Sequence, residues 1–570
     1  MNFPRKSIPG LPILECAEFG RNIAKFDEED VTDKMLHLGD IFHMYHKEDV
    51  PVNLNQNSLA SHVFVTGSTG SGKSNTIYQL LNEGRKNGLK FLVVEPAKGE
   101  YKHVFGNYDD VSVYGTNPQL TPLLRLNPFS FPKEIHILEH LDRLVEIFNV
   151  CWPMYAAMPA VLKKAVEQSY KDCGWDLLES SNPYGRLYPN FNDIADNIKT
   201  IIDSSEYDDE NKGAYKGALL TRIESLTNGI NGLIFSNDEL TNEHLFDTNV
   251  IVDLSRVGST ETKSLLMGIL VLKLQEYRMT NGDMNAELKH ITVLEEAHNL
   301  LKRTSTEQMS ESANLLGKSV EMLANAIAEM RTYGEGFIIA DQAPGLMDLS
   351  VIRNTNTKII MRLPDFSDRE LVGKSANLND DQIIELAKLP KGVAAVYQNE
   401  WIQPVLCKVE KVEHDKIDYQ YDGNSYFDTL RPSINLKLSA LLTGNNSFDE
   451  ITKEELKFDI LNSSLSGKYV RQILDYCNET VYEVKMTQIA PIIAQLYPAT
   501  MKAIRNFGMK SQDYKILTNE VIRELHKEVD GPLTTQLQLN IIQALMTQYY
   551  FNELNNSSEL EKWQIKGGLF

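Results

Sequence analysis

The octapeptide Gly67-Ser68-Thr69-Gly70-Ser71-Gly72-Lys73-Ser74 constrains this chain more than any other stretch. It fills every fixed position of the pattern Gly-x-x-x-x-Gly-Lys-Ser. The apolar run at 62–66 leads into it, and a helical pattern over 75–83 follows. Each part has a physical reason. Glycines let consecutive backbone N–H groups curl around phosphate oxygens. The N-terminus of the following helix, which Asn75 helps to open, adds a favourable dipole. Lys73 is placed to reach the β- and γ-phosphates, and the Ser74 hydroxyl to bind Mg²⁺. The strand–loop–helix context separates this stretch from an ordinary glycine-rich turn. It predicts a site for ATP with Mg²⁺, lined by Gly67, Ser68, Thr69, Gly70, Ser71, Gly72, Lys73, Ser74 and Asn75.

The loop belongs to a larger pattern. Short, nearly continuous apolar runs recur at 62–66, 91–95, 250–254, 291–295, 337–341 and 358–362. Such runs mark strands buried on both faces of a parallel sheet. Helical periodicity fills the intervals, so the fold class is α/β with a mainly parallel sheet. Residues 131–225 are too long for a simple crossover and read as a helical insertion. The runs at 392–397 and 404–409 flank Asn399-Glu400-Trp401 as a hairpin. Residues 1–50 are a mixed N-terminal segment, 51–410 the ATPase core, 411–431 a polar linker, and the region from 411 to 570 mainly helical.

Two strand tips carry chemistry. The run Ile291-Thr292-Val293-Leu294 ends in Glu295-Glu296-Ala297-His298. Paired carboxylates at a strand tip suit a nucleotide site: Glu295 to hold Mg²⁺, Glu296 to polarise the attacking water. Like charges side by side raise at least one pKa, which helps a general base. Asp341-Gln342 ends another apolar run, and Gln342 is placed to sense a γ-phosphate or orient water. Arg331 follows a long helical pattern, where an arginine can reach a neighbouring subunit's site as an arginine finger; the competing reading is a complement to the helix dipole. Arg353 and Arg362 are weaker phosphate candidates. His298 either couples the site to a DNA-facing surface or caps local structure. Lys302 and Arg303 could face a substrate channel, and His43 and His46 read as surface or strand residues.

Composition sets bounds. The chain has 570 residues, 42% of them hydrophobic, enough for two or three domains. Its formal net charge of −21 argues against a protein that coats DNA with its whole surface, though not against DNA in a narrow channel. No apolar run approaches the roughly 18 residues of a membrane span, and residues 1–6 lack the apolar stretch of a signal peptide; the expectation is a cytoplasmic protein with no membrane partner. Cys16, Cys151, Cys173, Cys407 and Cys477 show no metal-ligand spacing.

With these residues in hand, the chain resembles the HerA branch of the HerA–FtsK superfamily of ring-shaped ATPases. The resemblance spans about 35–410. It is carried by Gly67 to Ser74, Glu95-Pro96-Ala97-Lys98-Gly99-Glu100-Tyr101, Leu126-Asn127-Pro128-Phe129, Val252-Asp253-Leu254-Ser255, Glu295-Glu296-Ala297-His298, and Arg331-Thr332-Tyr333-Gly334 leading to Gln342. It implies a RecA-like P-loop core with a helical insertion, a homohexamer, Arg331 acting in trans, and ATP-driven movement or unwinding of double-stranded DNA in a central channel. It further implies an effector partner, a nuclease or a sirtuin-like NADase, in DNA processing or antiphage defence. Family members begin with a small β-barrel, for which residues 1–50 leave room only for a reduced remnant. The alternative is a hexameric scaffold whose ATP site controls an effector without translocation; a conjugation or secretion coupling ATPase of the same superfamily is a third.

Overall fold

The computed structural model describes residues 17–25, 34–152, 154–303, 311–413, 418–421, 432–444, 453–461, 463, 465–478, 486–508, 513–529 and 533–567. Cys16, the chain start and residues 422–431 of the expected linker lie outside them. The strands are β1 (Met35–His43), β2 (His46–Asn55), β3 (Val63–Thr66), β4 (Lys90–Glu95), β5 (Val111–Gly115), β6 (Asn249–Asp253), β7 (His290–Glu295), β8 (Glu335–Asp341), β9 (Thr357–Ile360), β10 (Val393–Gln398) and β11 (Val405–Val409). They form one sheet in the order β2-β1-β11-β10-β9-β3-β8-β7-β4-β6-β5.

From β9 to β5 every neighbouring pair is parallel. The six runs expected as strands all lie in this parallel stretch, and every residue of β3, β6, β7 and β8 is buried. β5 was not anticipated; its burial alternates, with only Val111, Val113 and Gly115 of its five residues buried, so it lacks a continuous apolar run. β10 and β11 pair antiparallel from Val393↔Lys408 to Val396↔Val405, as the hairpin pattern predicts.

The chain divides into two compact units, and neither is a simple chain segment. The first comprises 1–124, 131–160 and 240–421; the second comprises 125–130, 161–239 and 422–570. Two expectations shift accordingly. β1 and β2, inside or overlapping the segment expected as a barrel remnant, instead extend the central sheet, β1 pairing with β11 at Gly39↔Val409. The expected insertion at 131–225 is shared between the units. Its first helix, Ile137–Cys151, packs in the first unit on helix Thr260–Asn281, where buried His140 Nδ1 meets Glu276 Oε1 at 3.0 Å. Residues 161–239 join the C-terminal helices around one aliphatic core that includes Leu187, Ile473, Ile493 and Ile541. In that unit, buried Asp193 accepts the backbone N–H groups of Gly467 (2.8 Å) and Lys468 (3.2 Å) and the Ser466 hydroxyl. It thereby caps helix Gly467–Asn478 from a distant part of the chain.

In the first unit a buried polar cluster fixes the start of β8. Glu335, fully buried, accepts from Arg278 Nε at 3.0 Å and Thr292 Oγ1 at 2.8 Å, and lies 2.8 Å from His290 Nδ1. Burial opposes ionisation of Glu335, yet His290 and Arg278 hold its carboxyl below the usual range. β7, β8 and helix Thr260–Asn281 are thus locked at the end of the sheet remote from the phosphate loop.

Candidate nucleotide site at the strand tips

Because β3, β4, β6, β7 and β8 are parallel, their C-terminal tips lie at one end of the sheet, where ligands of open α/β folds bind. Register places Thr66 beside Asp341, Ala340 beside Glu295, and Glu95 beside Asp253. Residues far apart in sequence therefore share one small volume.

The phosphate loop leaves β3 and turns into α1 (Lys73–Lys86). Gly70 and Gly72 adopt φ of 76° and 114°, conformations that favour glycine. A Cβ on Gly67 would come within 2.7 Å of Met361 Cβ, so the loop also packs too tightly for a side chain there. Its frame is pinned by Ser68 N–H to the Arg362 carbonyl (2.9 Å) and Gly392 N–H to the Ser71 carbonyl (2.8 Å). The first-turn N–H groups of α1 have no intrahelical acceptor and are available to an anion.

Lys73 is buried, and its Nζ lies 3.5 Å from Glu296 Oε1 with no hydrogen-bond partner. A buried ammonium with unfilled donors, at the mouth of a loop of free N–H groups, fits a polyphosphate. Glu296 sits just past β7 with φ 46° and ψ 49°, a left-handed conformation that a non-glycine residue adopts at a cost. Gln342 Nε2 donates to Glu296 Oε1, and Thr69 Oγ1 donates to Gln342 Oε1 at 2.7 Å. Loop, β7 tip and β8 tip are thereby linked through Thr69, Gln342, Glu296 and Lys73.

Glu295 is buried and accepts the Tyr101 hydroxyl at 2.6 Å. Burial raises its pKa and the neighbouring Glu296 adds to this, against the hydrogen bond from Tyr101 and the charge of Lys73. Ser74 lies in the first turn of α1, directly after Lys73. Ser74 and Glu295 thus offer hard oxygen donors of the kind Mg²⁺ takes. His298 is held by Asp341, whose Oδ2 accepts its backbone N–H and lies 2.8 Å from its Nδ1. That contact raises the His298 pKa. Asp341 Oδ1 also accepts Ala343 N–H at 2.8 Å, so one buried carboxylate anchors the turns that carry both Glu296 and Gln342.

Sequence reasoning missed Glu95 as a site residue. Its carboxylate accepts the N–H groups of Glu100 (2.8 Å) and Tyr101 (3.2 Å), and burial pushes its pKa up to about 8. The apolar run ending at Glu95 was the available signal. Tyr101 closes the Glu95-to-Tyr101 motif that carries the resemblance, but that motif assigns it no role.

Not every expected residue converges. The Asn75 side chain is committed to the segment just past β11, donating to the Glu410 carbonyl (2.8 Å) and accepting Val412 N–H (3.0 Å); only its backbone faces the first turn. Arg331 is exposed in the turn Met330–Tyr333, before β8 begins at Glu335. Gln342 follows the other end of that seven-residue strand, roughly 20 Å away. Within one chain Arg331 does not reach the site. Lys302 and Arg303 are exposed after His298, and Arg362 touches the loop through its carbonyl.

Residues 36–274 match the family described as the central domain of helicase HerA. Over that span the chain is similar to the P-loop ATPases of the HerA–FtsK superfamily. Among curated HerA-type relatives, the DNA double-strand break repair helicase HerA of Sulfolobus acidocaldarius is 23% identical over 373 residues, covering 64% of this chain and 68% of its own. The protein of the same description from Saccharolobus solfataricus is 26% identical over 376 residues, covering 64% and 67%. Among solved structures, VirB4 of Thermoanaerobacter pseudethanolicus superposes with a TM-score of 0.50 at 17% identity, over 67% of this chain and 98% of that one, a likeness of fold. The α/β P-loop class expected from the sequence holds. Among the described residues, no helix is long and apolar enough to cross a membrane.

Proposed function

We propose that this chain is an ATP-hydrolysing ring motor that moves or unwinds double-stranded DNA. The observation that carries the ATPase chemistry is the buried, unfilled Lys73 ammonium facing Glu296 across the phosphate loop. The helicase relatives support DNA as the object moved.

The loop N–H groups from Gly67 to Asn75 and Lys73 Nζ hold the phosphates. Ser74 and Glu295 hold Mg²⁺, which supplies charge neutralisation at the phosphates when bound. Lys73 leaves Glu296 as it takes up phosphate, and Glu296 becomes free to accept a proton from water. Gln342, already bonded to Glu296, orients that water and reports on the loop through Thr69. Arg331, remote from its own site, enters the site of the next subunit of a homohexamer.

Steady-state ATP hydrolysis with and without linear double-stranded DNA, at low and moderate salt, tests the motor. Stimulation by DNA that fades with salt is expected, because phosphate contacts release counterions. Robust hydrolysis indifferent to DNA would sink the motor and leave an ATP-regulated scaffold. The finger has its own test. Arg331→Ala subunits mixed with Lys73→Ala subunits should recover part of the ATPase activity that each lacks alone. Absence of recovery at every mixing ratio would count against action in trans.

A further inference from the structure

We infer that Tyr101 is a positioning residue for the metal pole of this site, and that it works as a pair with Tyr78. The inference rests on the assignment of Ser74 and Glu295 as the Mg²⁺-holding residues. Tyr101 opens the short helix Tyr101–Phe105 and is 1% exposed. Its ring packs edge-on against Tyr78 of α1, with centroids 4.9 Å apart and planes at 86°. A phenylalanine would fill the same space. The hydroxyl is therefore not there for packing; burying one unpaired would cost free energy, and its acceptor is Glu295 Oε1 at 2.6 Å. Among the described residues the Glu295 carboxylate accepts no other hydrogen bond, so this contact alone fixes its rotation.

The partner tyrosine completes the arrangement. Tyr78 stands one helical turn after Ser74 on α1. The phenol under the β7 tip is braced by a ring of the helix that the phosphate loop opens, so the two rings tie the two oxygen donors' elements together. Tyr101 is itself fastened at its backbone, where Glu95 accepts the N–H groups of both Glu100 and Tyr101. Lys98 and Gly99, at φ of 68° and 71°, make the turn that brings the chain from β4 to this position. A Cβ on Gly99 would come within 3.0 Å of Asp253 Oδ2 and Ser255 Oγ. The turn therefore exists to deliver Tyr101 under Glu295, where its O–H orients the carboxylate without touching nucleotide.

The test is a Mg²⁺ titration of a fluorescent ADP analogue bound to the full chain, with a melting curve for each variant. Tyr101→Phe keeps the ring and removes one oxygen. It should bind the analogue like the parent in EDTA, and its half-saturating Mg²⁺ concentration should rise about 10- to 100-fold. In a Glu295→Ala background, Tyr101→Phe should add nothing further, because the acceptor it orients is gone. An unchanged Mg²⁺ requirement in Tyr101→Phe with parental melting would overturn the inference. So would equal loss of binding with and without Mg²⁺, the mark of a merely structural tyrosine. Failure of Tyr101→Phe to fold would also overturn it, since the hydroxyl would then be a structural requirement; where the variant folds, any further rise over Glu295→Ala alone counts against the positioning role. If the parent chain itself binds the analogue with no response to Mg²⁺, the assignment of Ser74 and Glu295 fails first, and the inference falls with it.

Discussion

Glu296→Gln is expected to bind ATP and hydrolyse it about 10²- to 10⁴-fold more slowly than the parent chain. The substitution is nearly isosteric. It keeps an oxygen that can accept from Gln342 Nε2, so the link between the β7 and β8 tips survives. It removes the negative charge 3.5 Å from Lys73 Nζ, and with it the acceptor for the proton of the attacking water. Losing that charge also removes a competitor for the Lys73 ammonium, so nucleotide affinity should hold or tighten. Single-turnover hydrolysis beside an equilibrium nucleotide titration separates the two quantities. Hydrolysis at the parental rate would show that another group accepts the proton.

Lys73→Ala should act on binding instead. Two charge-assisted hydrogen bonds to phosphate, at about 1.5–3 kcal/mol each, correspond to a loss of affinity on the order of 100-fold or more. The loop itself should persist, since its frame rests on backbone bonds from Ser68 to Arg362 and from Gly392 to Ser71 rather than on the lysine. A fluorescent nucleotide titration with a melting curve checks this. Parental affinity in a folded Lys73→Ala variant would remove Lys73 from the phosphate site.

The two variants divide the site as the geometry does. Lys73 belongs to the loop, and Glu296 to a different strand that register brings alongside. The proposed mechanism requires both, and the 3.5 Å contact between them must open before either can act.

Much of this was legible along the chain because the physics is local. A Gly-x-x-x-x-Gly-Lys-Ser loop needs glycine where φ turns positive, and Gly70 and Gly72 meet that need. Buried parallel strands need unbroken apolar runs, so β3, β4, β6, β7, β8 and β9 could each be placed to within a few residues. Glu295, Glu296 and Gln342 follow such runs immediately, which makes their arrival at one end of a parallel sheet close to inevitable. β1, β2 and β5 carry mixed or alternating patterns, and what they pair with is a property of the sheet rather than of the segment.

The amino-acid sequence by itself determined the α/β class, the phosphate loop and the strand tips that face it, since each depends on residues within one helical turn or one strand. Tertiary structure alone decided that the β1–β2 hairpin joins the central sheet and that residues 161–239 share a core with the C-terminal helices. It alone placed Tyr101 beneath Glu295, 194 positions away in the chain, and set Asn75's side chain against Glu410 instead of a phosphate. These are choices of partner between surfaces that satisfy hydrogen bonds and apolar area equally well in isolation. Only the assembled register of the sheet and the shape of the core distinguish them.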